Sequence, residues 1–222
     1  MKTNIKGVGV ALITPFNDNG DVDFEALERL LDRVAAGGAD YLVVLGTTAE
    51  TPTLSAAEKE AVTKFIVSKN GGRMPVVIGI GGNCTAEVVD HIRHFDFTGI
   101  DAVLSVAPYY NKPSQEGIYQ HYKAIAGVHS SFCPGVRRLD GEISGAGKAD
   151  PGKFCRMVHL LQQGDTAAAA GLHLEMMEAT DALFAEGNPV GVKAALAYYG
   201  LIRNNLRLPL VRSCSVLNER LQ

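Results

Sequence analysis

Two adjacent threonines, Thr47 and Thr48, stand where the apolar run of Tyr41-Leu-Val-Val-Leu-Gly-Thr-Thr-Ala-Glu50 stops, directly after a glycine. A buried parallel strand that ends in this way delivers small hydrogen-bonding groups to a site at its carboxyl end. Two hydroxyls and the amides of a tight turn can hold a small carboxylate without a basic side chain, because oriented N–H groups supply the positive potential. The ligand implied is a small oxo-acid. A Gly-Thr-Thr run standing alone reads more readily as a loop that caps the next helix, so its company decides.

Two more segments of the same kind follow apolar runs: Gly79-Ile-Gly-Gly-Asn83 and Ala107-Pro-Tyr-Tyr-Asn-Lys-Pro-Ser-Gln-Glu-Gly117. In this order and spacing the three resemble the dihydrodipicolinate synthase family, pyruvate-dependent lyases of the class I aldolase kind. The Gly-Thr-Thr-x-Glu segment is shared with sister enzymes such as N-acetylneuraminate lyase, whereas Pro-Tyr-Tyr-Asn-Lys-Pro points more narrowly to the first family. The resemblance runs through residues 1–127 and resumes at Pro151, where Glu186-Gly-Asn-Pro-Val-Gly-Val-Lys193 and Leu206-Arg-Leu-Pro-Leu210 look like the family's closing helices.

The resemblance implies a (β/α)8 TIM barrel and a role for each matching residue. Thr48, with its own amide and that of Thr47, is expected to hold the carboxylate of pyruvate. The Thr47 hydroxyl becomes the middle of a proton relay whose far end, Tyr110, comes from a neighbouring subunit. Hydroxyls suit a relay because each donates and accepts at once, so a proton passes without creating a buried charge. The implied reaction condenses pyruvate with aspartate semialdehyde through a Schiff base, in lysine and diaminopimelate synthesis, with no metal or organic cofactor. Dimers or tetramers are implied as well. A lysine-effector site is implied at Thr51, Asn83, Glu87 and Tyr109, although Ala56 and Lys59 replace the histidines of some lysine-sensitive members. Lys59 would place positive charge beside a cationic effector.

Composition is compatible with this reading. The chain has 222 residues, 46% hydrophobic, and a formal charge of −3, which predicts no nucleic-acid or anionic-membrane partner. Met1-Lys-Thr-Asn-Ile-Lys6 is too polar for an export signal, so a cytoplasmic location is expected. Cys84, Cys133, Cys155 and Cys214 form no C-x-x-C pair, which suits reduced thiols. Gly79-Ile-Gly-Gly-Asn83 lacks the third glycine of a dinucleotide loop. His91 and His94 share a helical face but have no third metal ligand in view, and Glu175, Glu178 and Asp181 read as surface charge.

The elements that must position these residues alternate strand and helix four times. Strands are expected at Gly9–Ile13, Tyr41–Leu45, Val76–Gly79 and Ala102–Val106. Helices are expected at Phe24–Ala36, Ser55–Ser68, Thr85–Phe95 and Gln115–Ala126, with Ser55-Ala-Ala-Glu58 as a capping box. From Pro151 onward the pattern is helical, punctuated by Gly164, Gly187 and Gly200.

Between the two lies a deficit. A (β/α)8 barrel needs about 250 residues. Only four barrel strands are visible, and 128–150 shows neither strand nor helix period, so loop or disorder is expected there. The chain thus divides into a partial barrel at 1–127, an atypical segment at 128–150, and a helical part at 151–222. The family's Tyr-Asn-x-Pro-x-Arg-Thr segment and its Schiff-base lysine belong where the atypical segment lies, and neither is present. Lys148 is the only lysine in that stretch, and its glycine-rich setting gives no strand to bury it. Lys59, Lys64, Lys112 and Lys193 fall on predicted helices or polar loops. The expectation is a truncated, catalytically impaired barrel. Two other readings stay open: a non-catalytic homologue that binds or assembles with a full-length subunit, and a sister lyase acting on a sugar acid.

Overall fold

A computed structural model describes residues 5–128, 140–144, 147 and 149–214. The expected alternation is there: β1 (Lys6–Ala11), α1 (Phe24–Ala36), β2 (Tyr41–Val44), α2 (Ala56–Asn70), β3 (Val76–Gly79), α3 (Thr85–His94), β4 (Ala102–Leu104) and α4 (Gln115–Ala126). Three helices close the chain: α5 (Pro151–Gln163), α6 (Thr166–Phe184) and α7 (Val190–Tyr198). The capping box forms as its residue types require, Ser55 Oγ accepting from the Glu58 amide at 3.2 Å while Glu58 Oε2 accepts from the Ser55 amide at 2.8 Å.

One expectation is overturned. Within 128–150, read from sequence as loop or disorder, Asp140–Ser144 forms a fifth strand, β5, parallel to β1 and in register from Lys6↔Asp140 to Val10↔Ser144. Asp-Gly-Glu-Ile-Ser carries one large apolar residue, too few for period 2 to be legible. Its order comes from the β1 ladder, a tertiary effect that local propensity does not record. Cys133 and Lys148 lie outside the described residues.

All strand pairs are parallel, in the order β4-β3-β2-β1-β5. In a closed barrel the neighbours of the first strand are the second and the last. Lying on the other side of β1 from β2, β5 therefore takes the closing position, and three barrel strands are lacking between β4 and β5 among the described residues. The alternation of side chains splits the core into two layers. Val8, Val10, Leu42, Val44, Val76 and Ile78 join the main core with Leu27, Leu30 and Leu31 of α1. On the opposite face Ala11, Tyr41, Val43 and Val77 pack with Ala102, Leu104 and Ile143, the layer that fills a barrel interior. Gly9 is required here: a Cβ would stand 2.1 Å from the Tyr41 ring. Among the described residues no helix is long and apolar enough to cross a membrane.

Candidate active site

Two residues past the end of β2, Gly46 precedes a 3-10 turn, Thr47–Ala49, followed by a second turn, Thr51–Thr53. The turn therefore stands at the carboxyl end of β2. Two residues around it, Leu45 (φ 53°) and Glu50 (φ 54°), adopt the left-handed conformation that L-residues rarely take. Such geometry persists where surrounding contacts over-determine it. They do so here. The Thr51 hydroxyl donates to the Gly46 carbonyl at 2.8 Å, the Thr14 hydroxyl donates to the Ala49 carbonyl at 2.8 Å, and the Glu50 amide donates to the Thr47 carbonyl at 3.1 Å. The first amides of such a turn, those of Thr47 and Thr48, have no carbonyl partner inside it.

Thr47 is exposed and Thr48 is buried at 6%. Asn188, just before α7, donates from Nδ2 to Thr48 Oγ1 at 2.6 Å. The hydroxyl accepts that bond, so its own proton is available to a ligand oxygen. Asn188 lies in the Glu186–Lys193 segment that helps carry the resemblance, but the sequence reading gives it no role at the site.

Behind the turn, Glu50 and Lys193 form an ion pair between two fully buried side chains. Glu50 Oε2 also accepts from the Arg207 amide at 2.9 Å. Burial pulls the Lys193 ammonium down to about 8, with Glu50 opposing that effect. From sequence, Lys193 was grouped with lysines of helices and polar loops. It does lie on a helix, but at the centre of a buried face spanning Val190–Leu196, and a lone lysine inside that apolar run was the legible signal. Arg207 then reaches outward, donating to Glu58 at 2.5 and 3.0 Å and to the carbonyls of Gly20 and Thr53. Those hydrogen bonds hold the Glu58 carboxyl down at about 2.

The loops after β3 and β4 open at the same end of the sheet, since all strands are parallel. Tyr109 is 57% exposed and Tyr110 91%, and Tyr110 has φ 69°. The Tyr109 amide donates to Asn83 Oδ1 at 2.9 Å, so these two expected effector residues do meet, with Glu87 exposed in the first turn of α3. Thr51 is instead engaged with Gly46. Among the described residues no hydrogen bond joins Tyr110 to Thr47. A cavity of about 370 Å³ lined by Val67, Asn70, Met74, Ile100 and Asp101 lies at the opposite, amino end of the strands.

Comparisons with known proteins agree with this geometry. The sequence model of the Dihydrodipicolinate synthetase family matches residues 4–132 and 138–220. The 4-hydroxy-tetrahydrodipicolinate synthase of Parabacteroides distasonis is 41% identical over 283 aligned positions, covering 99% of this chain and 95% of that protein. The enzyme of the same name from Bacillus subtilis is 33% identical, with 94% of each chain covered. The first alignment is 61 positions longer than this 222-residue chain, in keeping with the lack of three strands between β4 and β5. Among solved structures, a chloride-inhibited dihydrodipicolinate synthase from Acinetobacter baumannii complexed with pyruvate superposes with a TM-score of 0.91 at 30% identity, covering 98% of this chain and 96% of that one. The Thermotoga maritima dihydrodipicolinate synthase gives 0.90 at 29% identity, covering 99% and 97%. A family match over nearly the whole chain, a barrel-type parallel sheet and a threonine turn at the carboxyl end of β2 together place this chain in the dihydrodipicolinate synthase family.

Proposed function

We propose that this chain binds the carboxylate of pyruvate at the Thr47–Thr48 turn, as a 4-hydroxy-tetrahydrodipicolinate synthase whose condensation with aspartate semialdehyde is impaired. The observation that carries this is the turn itself: two amides without partners inside it and a buried hydroxyl held from behind by Asn188. That set presents three donors to one carboxylate.

The impairment follows from what amine is available. Imine formation needs an unprotonated lysine beside the carbonyl carbon, and without an imine the methyl carbon of pyruvate is not activated as a nucleophile. Of the described lysines, Lys6 opens β1 at the amino end of the sheet, Lys112 in the loop after β4 is exposed, and Lys193 is sealed inside the fold against Glu50. The segment 128–150 would stand in for the family's catalytic centre.

Self-association belongs to the same reading. Tyr110 lies 91% exposed, as an aromatic destined for a neighbouring subunit's site would be. A cytoplasmic location is proposed with it. A second reading, a non-catalytic subunit that assembles with full-length relatives, is favoured by β4, whose residues are only half-buried at the sheet edge.

Titration with 13C-labelled pyruvate, followed by NMR, tests the binding. Saturable broadening or shift of the carboxylate signal, abolished in Thr48→Val, is expected. Identical spectra with and without the protein would end the proposal.

A further inference from the structure

Lys193 and Glu50 are the two charged side chains with no exposure at all in their ion pair, and the catalytic reading above gives neither a role. Lys193 Nζ also donates to the Asn205 carbonyl at 2.9 Å and stands 4.2 Å from the centroid of the Phe16 ring. Glu50 Oε1 has no hydrogen-bond partner outside the pair. Withdrawing two charges from water is costly, and well-packed apolar residues of similar volume commonly serve stability as well or better. Stability alone is therefore a poor explanation for the pair.

Geometry supplies a better one. Glu50 caps the Thr47–Ala49 turn at its carboxyl end and the Thr51–Thr53 turn at its amino end, and it holds φ 54° although it is not glycine. Its carboxylate is held at both oxygens, Oε1 by Lys193 and Oε2 by the Arg207 amide, so its side chain cannot swing without breaking both. Its carbonyl accepts from the amide and hydroxyl of Thr53, each at 2.9 Å. A left-handed residue so clamped sets the direction in which the preceding amides point. Lys193 offers no competing role as an amine nucleophile, since it has no face open to a substrate and is committed to Glu50.

We infer that the buried Lys193–Glu50 pair is a positioning device, which fixes the left-handed backbone of Glu50 and thereby aims the Thr47 and Thr48 amides at the ligand carboxylate. This rests on the carboxylate-binding reading above, and it assigns both residues to the shape of the site.

The test is the double variant Glu50→Gln/Lys193→Met, which removes both charges at nearly constant volume and so avoids leaving one buried and unpaired. Thermal melting, amide hydrogen exchange at 47–50, and pyruvate titration are measured on the parent and the variant. The expected result is a melting temperature within a few degrees of the parent, with exchange at 47–50 at least about tenfold faster and pyruvate affinity weaker by about tenfold. The control Lys64→Met, which breaks only an exposed helical pair, is expected to change none of the three. Unchanged exchange at 47–50 in a folded double variant would overturn the inference. If the double variant does not fold, Glu50→Gln alone, which keeps an acceptor for the Arg207 amide, is judged by the same exchange criterion. A parent that fails to bind pyruvate refutes the carboxylate reading, while the exchange data still decide the positioning role.

Discussion

Asn188 and Thr48 lie 140 residues apart in sequence, and the 2.6 Å bond from the Asn188 amide to the Thr48 hydroxyl ties the closing helices to the second strand's turn. The bond orients the hydroxyl so that its proton points away from Asn188. It also explains why the helical tail matters to a site otherwise built from β2. Removing the donor leaves the hydroxyl of buried Thr48 without its partner in the tail, and an unsatisfied buried group costs more than a bond is worth when made.

Asn188→Ala is therefore expected to lower stability by about 1–3 kcal/mol and to weaken pyruvate binding by about tenfold. Urea unfolding and calorimetric titration check the two effects. Wild-type affinity in a folded variant would remove Asn188 from the site.

Gly79 of β3 bears on the same turn from the neighbouring strand. A Cβ there would stand 2.2 Å from the Leu45 carbonyl oxygen and 3.0 Å from the Gly46 nitrogen, both backbone atoms that cannot rotate aside. Gly79→Ala is expected to destabilise by about 1–3 kcal/mol, the range for overpacking. Gly171, mid-helix in α6 with open space around it, gives the opposite sign: Gly171→Ala should stabilise by about 0.5–1 kcal/mol. Chemical denaturation of the two variants measures both.

Acid sensitivity should trace to Glu58. Hydrogen bonds from Arg207 hold its carboxyl at about 2, against an ordinary 4.5. A carboxyl depressed in the folded state stabilises the fold above its unfolded pKa, and that stability is lost as pH falls through the folded value. The parent should therefore lose stability between about pH 4.5 and pH 2, and Glu58→Gln should show a flatter acid limb across that window. At neutral pH the variant should be less stable by about 1–2 kcal/mol. Thermal melts at stepped pH check it. Parallel curves for parent and variant would contradict the assignment.

Local signals carried the first half of the fold. The capping box at Ser55 and Glu58, the glycine stops and the apolar strand runs are each written within a few residues, and they appear where expected with shifts of a few positions at the ends. β1, expected at Gly9–Ile13, starts earlier, at Lys6. β5 escaped because Ile143 is the only large apolar residue in a strand whose order depends on β1. The Gly46–Thr48 turn was legible as chemistry, since glycine and paired hydroxyls after a buried run are informative by type. Its supports were less so: a lone lysine in an apolar helix marks Lys193 as buried, but the partners of Asn188, Lys193 and Arg207 lie more than a hundred residues away, and no local pattern names them.

The proposed function joins a carboxylate cradle at Thr47–Thr48 to the lack, among the described residues, of an amine placed to form the imine. The most direct measurement is incubation with pyruvate and borohydride, followed by mass spectrometry of the intact chain and its peptides. An amine must be unprotonated to form an imine, and Lys193 is sealed against Glu50. No stable lysine adduct is expected at any position. A single reduced pyruvate adduct on one lysine, abolished by changing that lysine, would contradict it and make that residue the catalytic amine.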